Sequence, residues 1–203
     1  MKATQSKKSV AVSLLAFGGI LFLLAFCGAR DAGAQQISSL PATISQPGSY
    51  YLSQNLTHTN RYSNAITVSA DNVTIDLKGY TLFGPGATLG TSNGIYMNGR
   101  SNVEVRNGTI TAFGNNGIWE EDTADVASGH RVIGVRVLSN GGYGIELNGS
   151  GHAIKNCTAI GNCFALTQGG YGGITCGLAC TVVGNVVSYN AISGINTSPK
   201  TSE

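Results

Sequence analysis

Short apolar–polar alternations recur along the chain. Ile66-Thr67-Val68, Val73-Thr74-Ile75 and Val103-Glu104-Val105 each set β-branched residues two apart, between turns rich in Asn and Gly. Period two with these residue types predicts short strands with one side inward and one outward. The strands recur on two ladders. The first is a Gly-Ile step at Gly94-Ile95, Gly117-Ile118, Gly144-Ile145, Gly173-Ile174 and Gly194-Ile195, with Ala65-Ile66 as a degenerate first rung. Its Ile residues lie 29, 23, 27, 29 and 21 positions apart. The second reads Leu77/Gly79/Leu82, Val105/Asn107/Ile110, Val132/Gly134/Val137, Ile154/Asn156/Ala159 and Val182/Gly184/Val187. The two alternate strictly, so they are parts of one repeat.

A repeat of this length cannot bury its own apolar face, so successive units must stack. No unit contains a helical period, which excludes leucine-rich and ankyrin repeats, and the units are shorter than the roughly 40 residues of a propeller blade. The expected fold is all-β: a single-stranded right-handed parallel β-helix of about six coils, with three short strands per coil. Equivalent residues then stack about 4.8 Å apart. The expected layout is a signal peptide over 1–34, an N-terminal cap with first strands over 35–63, β-helix repeats over 64–196 and a polar tail over 197–203.

Composition agrees. The 203 residues include 29 Gly and 17 Asn, with only 11% charged. Each Gly inside a helix costs about 1 kcal/mol relative to Ala, which excludes a helical bundle. Gly and Asn instead suit tight left-handed turns. At the N-terminus, Lys2, Lys7 and Lys8 precede the apolar run Val10–Phe26, and Ala32-Gly33-Ala34 offers small residues to a signal peptidase. Phe26 is too large for the lipoprotein pattern before Cys27. Export to the periplasm, cell surface or medium is expected, with no membrane span after cleavage. The leader also carries the apparent basicity: without it 8 basic and 9 acidic residues remain, net −1. A nucleic-acid partner is therefore not expected.

Three segments carry a resemblance: Thr43–Leu52 (TISQPGSYYL), Asn72–Leu82 (NVTIDLKGYTL) and Asn102–Gly114 (NVEVRNGTITAFG). The chain resembles, over roughly residues 37–196, the secreted right-handed β-helix proteins of the pectin-lyase-like superfamily. That superfamily holds polysaccharide lyases, glycoside hydrolases, tailspikes and adhesins, so the resemblance implies a fold and not an activity. The polygalacturonase set of Asn-Thr-Asp, Asp-Asp, Gly-His-Gly and Arg-Ile-Lys is not matched; Ser128-Gly129-His130-Arg131 and Gly151-His152-Ala153 are fragments of it. The calcium-binding Asp residues and catalytic Arg of pectate lyases have no counterpart, and no catalytic residue is carried over.

Local chemistry supplies the candidates. In the Gly-Ile strand, Ile points inward and the next residue outward, so Thr67, Tyr96, Trp119, Glu146, Thr175 and Asn196 should form one outer column. Tyr96, Trp119 and Glu146 would be neighbours there. Flat aromatic rings beside a carboxylate suit sugars, whose CH faces pack on the ring while hydroxyls donate to the acid. Next comes Glu120-Glu121-Asp122-Thr123-Ala124-Asp125. Glu120 falls at an inward position, and an unpaired carboxylate is too costly to bury, so the strand is expected to end early and residues 120–129 to leave as a loop. The candidate substrate-binding set is Tyr96, Trp119, Glu121, Asp122, Asp125 and Glu146, with catalytic residues unknown. No metal site or cofactor is expected; calcium on the acidic loop is the alternative. Asp76, Glu104 and Arg131, flanked by Lys78 and Arg106, are expected to form an outward lattice of ion pairs. His58, His130 and His152 share no metal-binding spacing.

Cys157, Cys163, Cys176 and Cys180 are an even number in an exported chain, which suggests two disulfides with three connectivities open. The last coil has no visible cap, so the expectation is that self-association or a further chain covers it, or that the sequence is a piece of a longer one. The expected function is a glycan-binding or structural surface module without a catalytic set. The alternative is a small polysaccharide lyase or glycoside hydrolase.

Overall fold

A computed structural model of the chain describes residues 33–121, 126–163 and 172–197; all but the last two residues of the expected signal peptide and most of the polar tail lie outside them. The described residues form a parallel β-solenoid with three strands per turn. One face stacks seven strands: β2 (Ala42–Ile44), β5 (Ile66–Val68), β8 (Ile95–Asn98), β10 (Ile118–Glu121), β12 (Ile145–Ser150), β15 (Gly172–Leu178) and β18 (Ser193–Asn196). A second face holds β1 (Gln35–Ile37), β3 (Gly48–Leu52), β6 (Val73–Asp76), the first halves of β9 (Glu104–Thr111) and β11 (Arg131–Leu138), then β13 (Ala153–Lys155) and β16 (Thr181–Val183). The third holds β4 (Leu56–Thr57), β7 (Thr81–Phe83), the second halves of β9 and β11, then β14 (Thr158–Ile160) and β17 (Val186–Ser188).

The solenoid makes about five turns, against the expected six. Among the described residues, the first rung has no strand on the third face. The repeat also reaches back before residue 64. β2 pairs with β5 and β3 with β6, so the strands of residues 35–63 stack in parallel register on those that follow.

The Gly-Ile ladder holds rung for rung: Ile66, Ile95, Ile118, Ile145, Ile174 and Ile195 face one another across successive pairings. Gly94, Gly117, Gly144 and Gly173 before them are needed for close approach and have no left-handed backbone. A Cβ on Gly117 would sit 2.6 Å from the Gly144 carbonyl oxygen, and one on Gly144 would sit 2.8 Å from that of Gly173. The second ladder is offset at its first rung, where Ile75, not Leu77, stacks on Val105. The corner from Ile75 to Leu82 is two residues longer than that from Val105 to Ile110, and Lys78 (φ 49°) and Gly79 (φ 83°) absorb the excess. Later corners turn on one left-handed residue each: Asn107, Gly134, Asn156 and Gly184.

Asn serves a second purpose that composition does not separate from turns. Asn93, Asn116, Asn140 and Asn162 are buried before the Gly-Ile strand. Their side chains bond along the stack: Asn140 Nδ2 donates to Asn162 Oδ1 at 3.0 Å, and Asn162 Nδ2 to Asn190 Oδ1 at 2.9 Å. Amides thus satisfy one another where the chain bends inward and water is excluded.

Candidate functional site

The outer column on the seven-stranded face is as expected. Thr67 pairs with Tyr96, Tyr96 with Trp119, Trp119 with Glu146, Glu146 with Thr175 and Thr175 with Asn196. The Tyr96 and Trp119 rings lie 5.2 Å apart between centroids, tilted by 56°. Two residues along the strands, Glu121 is paired with Asn98. Tyr96 donates its hydroxyl to Glu121 Oε2, and Asn98 Nδ2 approaches the same oxygen at 3.5 Å. Burial and the Glu121 carboxylate push the Tyr96 hydroxyl above its usual pKa, since ionising it would set two anions in contact.

Glu146 closes the other side of Trp119. Asn116 Nδ2 donates to its Oε2 at 2.7 Å, and Asn148 Nδ2 reaches its Oε1 at 3.4 Å. Burial raises the Glu146 pKa; the Asn148 and Asn116 amides oppose that rise, and the nearby Glu121 charge adds to it. The patch therefore presents two aromatic rings between two carboxylates, with amides beside them. One carboxyl is biased toward its protonated form. Arg100, on the same stretch of chain, donates its Nε to the Asn98 carbonyl and lies 3.9 Å from Asp71.

Glu120 corrects the sequence expectation. β10 does not end early; it runs to Glu121, and Glu120 is completely buried. Its Oε2 accepts the backbone N–H groups of Asn148 at 2.7 Å and Gly149 at 2.9 Å. Those two residues form a bulge in β12, where the register to β15 shifts between Leu147 and Ser150. The extra residue leaves amides that the regular ladder does not use, and the carboxylate takes them. His152 Nε2 stands 3.9 Å from the same oxygen. The side chain is buried because it is partnered.

Only part of the acidic run is therefore available at the surface. Glu120 points inward and Glu121 outward; Asp122 and Asp125 lie outside the described residues. His130 and His152 are buried and stacked, with centroids 4.9 Å apart and planes 8° from parallel. Each accepts a backbone N–H at Nδ1, His130 from Val103 and His152 from His130, both at 3.1 Å. Among the described residues no group of three His, Cys, Asp or Glu side chains is disposed to hold a metal ion.

The other charged set is a lattice on the second face, in a different register from that expected. Glu104 stacks between Thr74 and Arg131, while Asp76 stacks on Arg106 in the next column. The two-residue offset at Leu77 moves Asp76 out of line. Arg106 bridges Asp76 at 3.0 Å and Glu104 at 3.1 Å, and Arg131 reaches Glu104 at 2.8 Å. Burial pushes the Asp76 pKa up, but bonds from the Lys78 backbone, Arg106 and Asn107 outweigh it and hold the carboxyl below its usual value.

The expectation of two disulfides is also corrected. Cys176 and Cys180 are bonded to each other, whereas Cys157 and Cys163 are buried thiols. Cys157 faces the core and donates to the Val132 carbonyl; an apolar column needs a small apolar side chain there, and cysteine serves.

No family model matches the chain, and no curated protein or solved structure is significantly similar to it.

Proposed function

We propose that this protein is an exported member of the pectin-lyase-like solenoids that binds glycan chains on its seven-stranded face. The observation that carries the reading is the in-register trio Tyr96, Trp119 and Glu146, with Glu121 bound to the Tyr96 hydroxyl. The rings offer apolar faces to sugar CH groups, and the carboxylates and amides offer directional partners to hydroxyls. Charge narrows the ligand. Two carboxylates flank the rings, so a uronate chain meets like charge, whereas a neutral or amino-sugar chain does not. The preferred class is a neutral or amino-sugar polysaccharide.

A catalytic reading has one observation in its favour. Burial lifts the Glu146 pKa toward the protonated form near a second carboxyl group, Glu121, and glycoside hydrolysis uses a pair of carboxyl groups of which one is kept protonated. Both readings are tested by titrating neutral, amino-sugar and uronate oligosaccharides against Trp119 fluorescence, the chain holding one Trp, with product analysis in parallel. Binding of the first two classes, abolished in Trp119→Ala, supports the module. Turnover lost in Glu146→Gln replaces it with the enzyme. No binding by any class sinks both.

A further inference from the structure

Charge is sorted across the solenoid, although the net charge of the full sequence is only +2. The strands of the seven-stranded face carry Glu120, Glu121 and Glu146 and no Lys or Arg. The strands of the second and third faces, with the corner that joins them, carry five basic residues, Lys78, Arg106, Arg131, Arg136 and Lys155. Their acidic residues are two, Asp76 and Glu104, both paired with Arg106 or Arg131. Lys78, Arg136 and Lys155 form no ion pair among the described residues, so this side keeps a net charge of +3. Such a one-sign surface concentrates ligands of the opposite sign.

A groove of about 280 Å³ lies on the corner, lined by Gly79, Asn107, Gly108, Gly134 and Arg136. Glycine opens it. At successive rungs the corner holds Gly79, Asn107, Gly134 and Asn156, all left-handed, so the Asn107 side chain stands between two positions that have none. A Cβ on Gly79 would meet nothing within 4 Å, and one on Gly134 only Asn107 Oδ1 at 3.7 Å. Asn107 donates its Nδ2 to Asp76 at 3.3 Å, which leaves Oδ1 as an acceptor toward the groove. Arg136 forms the side. Its Nε donates to Thr109 Oγ1 at 3.1 Å on the preceding rung, and both Nη groups are without a partner among the described residues.

We propose that this groove binds a saccharide chain bearing sulfate or phosphate esters. A guanidinium with free Nη groups holds an oxyanion by two parallel hydrogen bonds. That fork saturates a planar carboxylate, whereas a tetrahedral ester group keeps a further oxygen for a second cation. Rungs lie about 4.8 Å apart, which sets Lys78 about 10 Å and Lys155 about 5 Å from Arg136 along the solenoid axis. A chain with recurrent charges meets all three. Ligand pockets begin near about 300 Å³, so the groove seats one residue of a chain and not a whole ligand. Asn107 Oδ1 is placed to accept from a sugar hydroxyl. No aromatic ring lines the groove, so it lacks the stacking platform on which single-stranded nucleic acid binds. The site lies on other faces than Trp119 and stands apart from the glycan binding proposed there.

The test is fluorescence anisotropy of labelled dextran sulfate and phosphorylated mannan fragments titrated with the full chain, at low and at physiological salt. Unlabelled dextran, oligogalacturonate and single-stranded DNA compete against them. Arg136→Gln removes the cationic fork. Gly134→Asn fills the groove with the residue that the rungs on either side already hold at this corner, so the fold should survive, as circular dichroism will verify. The expected result is salt-sensitive binding of one or both esters, weakened about tenfold by Arg136→Gln and at least as much by Gly134→Asn. The more tightly bound ester names the substituent. No binding of either ester at low salt overturns the proposal, as does an affinity unchanged in either variant. Tighter binding of dextran, oligogalacturonate or single-stranded DNA than of both esters overturns it as well, since the groove then selects a different ligand.

Discussion

The carboxylate of Glu120 accepts the backbone N–H of Asn148 from inside the solenoid, at 2.7 Å. That bond joins the buried interior to the outer face, because the same Asn148 donates its side-chain amide to the Glu120 carbonyl at 2.8 Å and approaches Glu146. Glu120 thus fixes the bulge that aims an amide at the candidate sugar-binding carboxylate.

Glu120→Ala should accordingly destabilise the fold by about 3 kcal/mol, since it strands two amides, each costing roughly 1–3 kcal/mol unsatisfied. Glu120→Gln keeps the volume and one acceptor oxygen and should cost less. Denaturant unfolding measures both. A loss below about 1 kcal/mol for the alanine variant would show that the bulge holds without its carboxylate.

Gly117 and Gly129 separate two reasons for glycine. Gly117 has ordinary backbone but no room, with the Gly144 carbonyl oxygen 2.6 Å from where a Cβ would stand. Gly129 has open space but a φ of 67°. Gly129→Ala should cost about 1 kcal/mol, the left-handed penalty for an L-residue. Gly117→Ala forces two rungs apart and should cost about 3 kcal/mol, the upper part of the overpacking range. Equal melting temperatures for the two variants would contradict the close-approach explanation.

The stacked register was legible in the sequence because period two and the Gly-Ile step fix both which side faces inward and which residue meets which. Tyr96, Trp119 and Glu146 followed from that alone. What was not legible depends on local insertions. The longer corner after Ile75 shifts Asp76 out of the Glu104 column, and no repeat spacing reveals where within the corner the extra residues go. Glu120 reads as a misfit because its partners are backbone amides, freed by a bulge one rung away, and backbone amides carry no sequence signal. Cysteine pairing fails for a related reason: Cys157 sits in a core column for its size, which parity in the cysteine count does not detect.

The thiols give a chemical test. Burial raises the pKa of both Cys157 and Cys163, and only the thiolate is nucleophilic. Neither should react with iodoacetamide in the folded protein at neutral pH. After unfolding without reductant, Cys157 and Cys163 should be labelled and Cys176 and Cys180 should not. Peptide mass mapping decides it, and label on Cys176 under those conditions would refute the bridge.

Glu146 sets a pH dependence whose sign follows from its raised pKa. Burial, reinforced by the Glu121 charge, disfavours the ionised form in the folded state, so folding favours the proton. The stability associated with this group is fully present below the unfolded value of about 4.3 and is lost as pH rises through the folded pKa. Measured against Glu146→Gln, which does not titrate, the wild type should lose relative stability across the window just above the ordinary glutamate pKa and level off beyond it. Glycan affinity should move oppositely if ionised Glu146 is the hydroxyl acceptor, strengthening over the same window while Glu146→Gln stays flat. Parallel pH titrations of unfolding and of Trp119 fluorescence would read both curves. A stability difference that rises with pH would reverse the assigned sign, and an affinity indifferent to pH would remove Glu146 from the binding face.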